Sequence, residues 1–155
     1  MADKKMLAQK VYKTICAALD AREWTYQKDE AKLLVHFGVS GEDLPMTLIL
    51  MADADRQLIR VMSPLSFKLD EDKRVEGAIA VCAASYGMAD GSFDYDLSDG
   101  SIVFRMTASF RESTIGEELI QYLISCTCAM VDKYNDKFLA LSKGVMSLED
   151  FIKNA

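Results

Sequence analysis

Residues 90–105, Asp-Gly-Ser-Phe-Asp-Tyr-Asp-Leu-Ser-Asp-Gly-Ser-Ile-Val-Phe-Arg, alternate polar and apolar side chains on both sides of an Asp99-Gly100 pair. Asp-Gly between two alternating runs is the strongest short-range hairpin signal in a sequence. A two-residue turn there pairs Leu97 with Ile102, Tyr95 with Phe104 and Phe93 with Met106, so all six share one face and are expected in a core. The same register sets Asp94 opposite Arg105 on the other face, a favourable cross-strand charge pair. A slip of one residue would mix the two faces, so hydrophobic pattern and turn chemistry specify one pairing.

A second hairpin is predicted upstream, from 46–52 and 57–63 around Asp53-Ala54-Asp55-Arg56. Pairing Ala52 with Gln57 places Leu48, Leu50, Ile59 and Val61 on one face and Thr47, Ile49, Met51, Leu58, Arg60 and Met62 on the other. Both faces are largely apolar, unlike a sheet with one wetted side. If helices cover one face, a second subunit or a partner protein is expected on the other. Ile49, Met51, Leu58, Arg60 and Met62 are therefore the candidate partner-binding face. Methionine is frequent in the predicted core elements (Met46, Met51, Met62, Met88, Met106, Met130, Met146), and Met-rich apolar surfaces adapt to varied partners.

The remaining elements follow from helical periodicity and end signals. Leu7, Val11, Ile15 and Leu19 form a stripe over 3–21, with Asp3 as N-cap. Alternation predicts strands over 24–29 and 32–39, the second with Leu33, Val35, Phe37 and Val39 on its apolar face. A third strand begins at Pro45, where a missing N–H does little harm. Asp70-Glu71-Asp72 opens a second helix running to Ser85, with Val75, Ile79, Cys82 and Ala83 as its buried stripe and Gly87 as its stop. Thr114-Ile115-Gly116-Glu117 has capping-box spacing and starts a long third helix. Ile115, Leu119, Leu123, Met130, Tyr134, Phe138 and Leu141 form its apolar side, and Ser147 caps a short last one. The order α-β-β-β-β-α-β-β-α-α, with strands linked by hairpins, predicts an α+β fold with an antiparallel sheet, in one domain spanning 1–155.

Chemistry is harder to find. The net charge of −6 on 155 residues argues against a nucleic-acid or anionic-membrane binder. No apolar run approaches the ~20 residues needed to span a bilayer, and the polar start is unlike a signal-peptide core. Cys16, Cys82, Cys126 and Cys128 show no ligand or disulfide spacing and read as small buried hydrophobes, which suits a reducing cytoplasm. A calcium loop starting at Asp94 fails twice, with Asp99 where glycine is needed and Arg105 where glutamate is needed. His36 is the single histidine and has no matching Ser or Asp motif. With no P-loop, no Gly-x-Ser-x-Gly and no Gly-x-Gly-x-x-Gly, the expectation is a protein without enzymatic activity, metal or cofactor.

The segments Trp24-x-Tyr26, Pro45 to Ser63 and Pro64-Leu65-Ser66-Phe67 resemble the bacterial YbjN family. So do Tyr86-Gly87-Met88-Ala89-Asp90-Gly91-Ser92-Phe93-Asp94-Tyr95-Asp96 and Asp99-Gly100-Ser101-Ile102-Val103-Phe104-Arg105. The likeness runs from Trp24 to Phe151; Ala84-Ser85-Tyr86 departs from the asparagine common in members. The resemblance implies a fold similar to type III secretion chaperones, with helices on one side of a bent antiparallel sheet, often dimeric. It also implies a sensory-transduction regulator with no known catalytic residue, so no site residue is carried over. The expected function is a cytoplasmic protein-interaction module, binding a partner protein and forming a homodimer. A second expectation, from a different class, is a small-molecule sensor with a pocket between the sheet and the long C-terminal helix, lined by Trp24, Tyr26, Phe104 and Tyr122.

Overall fold

The computed structural model describes residues 2–155, with side chains from residue 3 onward. Helix α1 (Ala2–Ala21) precedes strands β1 (Gln27–Asp29), β2 (Leu34–Ser40), β3 (Pro45–Asp53) and β4 (Leu58–Lys68). A 3-10 turn (Glu71–Lys73) leads into helix α2 (Arg74–Ser85), then strands β5 (Ser92–Tyr95) and β6 (Ser101–Ser109), and helices α3 (Glu117–Ser142) and α4 (Leu148–Lys153). The order is the expected one, and the six strands form one antiparallel sheet, β1-β2-β3-β4-β6-β5.

Period-2 alternation decides which face is buried. Val35, Phe37, Leu48, Leu50, Ile59, Val61, Ile102, Phe104 and Met106 point to one side and are buried. They meet Ala8, Val11, Ile15 and Leu19 of α1 and Ile120, Leu123, Ile124, Val131 and Phe138 of α3. Fully burying each large aliphatic or aromatic chain stabilises the fold by about 1.5–3 kcal/mol, so this seam sets the layering. Strand β4 runs on through Pro64, past the predicted end at Ser63, and its register against β6 shifts between Pro64 and Lys68. Such a bulge bends the strand and relieves the missing proline donor.

Both predicted hairpins keep their faces but pair two residues out of the expected register. Tyr95 pairs with Ile102 and Phe93 with Phe104, while Ala52 pairs with Ile59. The cause is one loop design used three times. Four residues separate Asp29 from Leu34, Asp53 from Leu58 and Asp96 from Ser101, and the last loop residue is left-handed each time: Leu33 (φ 52°), Gln57 (φ 55°) and Gly100 (φ 76°). The leading aspartate accepts a loop N–H: Lys32 N to Asp29 Oδ1 at 3.2 Å, Arg56 N to Asp53 Oδ1 at 3.0 Å and Ser98 N to Asp96 Oδ1 at 2.8 Å. These side-chain turns nucleate a longer loop than Asp-Gly alone suggests. Leu97 consequently sits in the loop, 60% exposed, instead of in the core. Asp94 still holds Arg105, now diagonally, through Nε at 2.7 Å and Nη2 at 3.2 Å.

Several ends also differ. Trp24 and Tyr26 precede β1; Trp24 packs edge-on against Phe37, with centroids 5.0 Å apart, and the Tyr26 hydroxyl donates to Asp20 at 2.8 Å. Asp3 lies in the first turn of α1, where its charge suits the helix dipole; the residue ahead of the helix, Met1, falls outside the described residues. Gly116, not Thr114, is the N-cap of α3, and no side chain bonds there. Ser147 caps α4 as expected, accepting from Asp150 N at 3.1 Å.

Helix α2 lies the other way up. Gly77, Ala80, Val81 and Ala84 are buried, whereas Val75 is 71% exposed, and Ile79 and Cys82 are also exposed. The physical reason is proximity: a Cβ on Gly77 would stand 2.6 Å from Leu69 Cδ2 and 2.7 Å from the Tyr95 hydroxyl, so only the small-residue stripe can approach. Ser85, at the end of α2, receives Phe93 N–H at 3.0 Å and donates to Phe93 carbonyl at 3.5 Å, which covers the outer edge of β5.

Candidate protein-binding surfaces

With the helices gathered on one side, the second face of the sheet is uncovered among the described residues. Antiparallel pairing arranges it in rows. One row runs Gln27, His36, Ile49, Met62, Arg105, Ser92; the next runs Asp29, Leu34, Met51, Arg60, Thr107; Asp53 and Leu58 follow. Ile49, Met51, Leu58, Arg60 and Met62 are thus brought together at the centre of this face, all half-buried by their neighbours. His36 sits beside Ile49, with no Ser or Asp across from it.

One charge, Arg60, stands within the apolar centre, and Asp53 and Arg105 border it. Asp53, whose side chain is 10% exposed, accepts Arg56 N–H and lies 3.3 Å from Arg56 Nη1 and 3.9 Å from Arg60 Nη1. The Arg56 backbone donor, followed by the two guanidinium groups, holds its carboxyl below the usual range against the opposing effect of burial. A depressed carboxylate contributes stability above its unfolded value near ~3.9 and loses it as pH falls through the lower folded value. Asp53→Asn is therefore expected to cost about 1–2 kcal/mol at pH 7. As pH falls below the unfolded value of ~3.9 the difference from wild type should shrink, as urea melts at neutral and acid pH would show. An open cleft of about 1060 Å³ adjoins this corner, between Lys4, Lys5 and Met6 of α1 and the loops bearing Leu33 and Arg56.

The second surface is the outer face of α2. Val75, Ile79, Cys82 and Tyr86 recur at helical spacing; Ile79, Cys82 and Tyr86, with Ala78, Ala83, Ile152 of α4 and Ala155, border a cleft of about 630 Å³. Tyr86 is 91% exposed and Ile152 46%. The sequence carries the signal: two stripes on one helix, one small and one large, of which only the small can lie close to a sheet.

The four aromatics expected to line a ligand pocket are not brought together. Phe104 is in the core against Phe93, Trp24 is on Phe37, Tyr26 is on α1, and Tyr122 is exposed on α3. The Tyr122 hydroxyl donates to Asp90, which raises its pKa to about 12. Between sheet and α3, a gap of about 10 Å³ lies beside Asn135, whose Nδ2 is buried without a partner, and a more open cleft of about 380 Å³ lies between Met46 and Cys128; none of the four aromatics lines either. The aspartates of the 90–99 segment serve the hairpin: Asp94 pairs with Arg105, Asp96 turns onto Ser98, and Asp99 meets Lys68 at 2.5 Å. The cysteines are free thiols and less buried than expected; Cys82 is exposed and the others half-buried. Burial and nearby Asp132 raise the Cys128 thiol to about 11, which leaves it protonated and unreactive near neutral pH. No helix among the described residues is long and apolar enough to cross a membrane.

The architecture, helices on one face of a bent antiparallel sheet, is that of a chaperone-like α+β fold. A chain of a solved chaperone–effector complex, HopA1–SchA, is similar with a TM-score of 0.56 at 11% identity, over 84% of this chain and 97% of that one. Residues 12–140 match the YbjN family, described as "Putative bacterial sensory transduction regulator". The chain belongs to the YbjN family. No curated protein matches it by sequence.

Proposed function

We propose that the protein is a non-enzymatic, cytoplasmic interaction module, regulatory or chaperone-like, that holds a partner protein on the uncovered face of its sheet. The observation that carries this reading is the block of Ile49, Met51, Leu58 and Met62 at the centre of that face with no helix over it. Large apolar patches rimmed by charge mark interaction sites on soluble proteins, and Arg105 and Asp53 supply the rim. The regulator description of the family and the chaperone–effector complex containing the similar fold both support a protein partner. In this reading the functional unit is a homodimer.

Met51→Glu tests it. The substitution places a charge among apolar neighbours on the open face and leaves the helix-side core untouched. Proteins captured from a source-cell lysate by wild type should be lost by at least tenfold with the variant, while the thermal midpoint shifts by only a few degrees. Equal capture by both proteins would remove the sheet face from consideration. A metabolite that raised the midpoint of both would favour a sensor instead.

A further inference from the structure

We propose that the cleft between the start of α1 and the loops after β1 and β3 binds a small organic anion, an apolar body carrying one oxyanion head. The inference goes beyond the partner reading and does not depend on it. At about 1060 Å³ the cleft has the size of a small-molecule site. Five cations line it (Lys4, Lys5, Lys32, Arg56 and Arg60) against three carboxylates (Glu30, Asp53 and Asp55), a basic excess on a chain of net charge −6. An excess of one sign between low-dielectric walls concentrates ions of the opposite sign.

The fold leaves several of these cations unused. Lys4 and Lys5 are exposed in the first turn of α1, where a cation opposes the helix dipole. Neither forms an ion pair among the described residues. Arg56 and Arg60 converge on one Asp53 oxygen, at 3.3 and 3.9 Å, so a single carboxylate stands against two guanidinium groups. At 3.9 Å the half-buried Arg60 makes an ion pair but no hydrogen bond, which leaves its fork of N–H donors free. Such a fork binds a carboxylate, sulfonate or phosphate through two parallel N–H bonds.

The rest of the lining is apolar and held in place. Met6 contributes from α1, and Leu33, Met51 and Ala54 from the two hairpins. Leu33 has φ 52°, a left-handed conformation that suits glycine, yet the chain sets a large apolar residue there. Ala52 N–H donates to the Leu33 carbonyl at 3.0 Å, and Arg111 Nη2 to the Arg56 carbonyl at 3.3 Å. Both loops are thereby tied to the sheet before any ligand arrives, which lowers the ordering cost of binding. A bare inorganic anion would leave Met6, Leu33 and Met51 in water; an anion with an aliphatic or aromatic body covers them.

Fluorescence titration with anilinonaphthalene sulfonate, an aromatic anion, tests the site. Wild type should bind one probe per chain, decanoate should displace it, and decanol should not. Lys4→Glu with Lys5→Glu should weaken the probe by about tenfold or more, with the thermal midpoint held because both lysines are exposed. Arg60→Gln should weaken it likewise. Met51→Glu puts a carboxylate in the cleft and should also weaken the probe, whereas Ile49→Glu, on the sheet face outside the cleft, should not. The proposal is overturned if no saturable binding occurs, or if the lysine and Arg60 variants bind as wild type does. Binding that Ile49→Glu abolishes and the lysine variant retains overturns it too. So does displacement by decanol as readily as by decanoate, since charge would then play no part. Lysate capture by the lysine variant should equal that of wild type, so the sheet-face reading stands or falls separately.

Discussion

Phe138→Ala is expected to destabilise the protein by about 3–5 kcal/mol. Phe138 is fully buried at the junction of three elements: its ring lies 5.2 Å from Phe93 of β5, 5.0 Å from Phe151 of α4 and 6.3 Å from Tyr134 on its own helix. Truncation loses the transfer free energy of the ring and opens a cavity that neighbours on three rigid elements cannot collapse into. Against a total stability of ~5–15 kcal/mol, such a loss is a large fraction. Amide exchange should show 148–153 loosening first, because six residues of α4 are held mainly through Phe151. Phe138→Leu, which keeps most of the volume, should cost less. A loss below about 1 kcal/mol for the alanine variant would mean this cluster does not hold the helices to the sheet.

Gly100→Ala should cost about 2–4 kcal/mol. Gly100 has φ 76°, and the main chain of Leu69 lies directly where a Cβ would go. Left-handed strain accounts for about 1–3 kcal/mol. Displacing Leu69 also breaks its N–H bond to the Gly100 carbonyl, 2.9 Å long, worth about 1 kcal/mol. Gly144 separates the two effects, since it has φ 70° with open space around it. Gly144→Ala should show only the strain, about 1–2 kcal/mol. Equal losses at both sites in guanidinium melts would show that the Leu69 contact contributes nothing.

The faces of the strands were legible because alternation depends only on sequence parity, and a shift of two residues preserves parity. Register was not, because it depends on loop geometry, and the loop signal lay in aspartates and basic residues three apart (Asp29 with Lys32, Asp53 with Arg56) more than in Asp99-Gly100. Helix α2 was recognisable as a helix, and its orientation turned on the small-residue stripe at Gly77, which packs against Leu69 and Tyr95 and which the sequence carries beside the larger apolar stripe. Asn135 and Thr127, buried polar groups on α3, left no pattern to read. Of the candidate surface, the five sheet residues could be placed on one face from pairing alone. The α2 patch was hidden by the rule that apolar stripes point inward, which holds for helices whose every face is not already claimed by small residues.

Ser85 has a consequence for stoichiometry. By satisfying both backbone groups of Phe93 it blocks the middle of the four-residue β5 edge against an added strand, while at the other end β1 spans only three residues and leaves 37–40 of β2 unpaired. Stacking of sheets into an endless ribbon needs two receptive ends. A molecule with one end blocked can accept a single extended segment and then stops growing, so its complexes remain finite even where an edge is exposed.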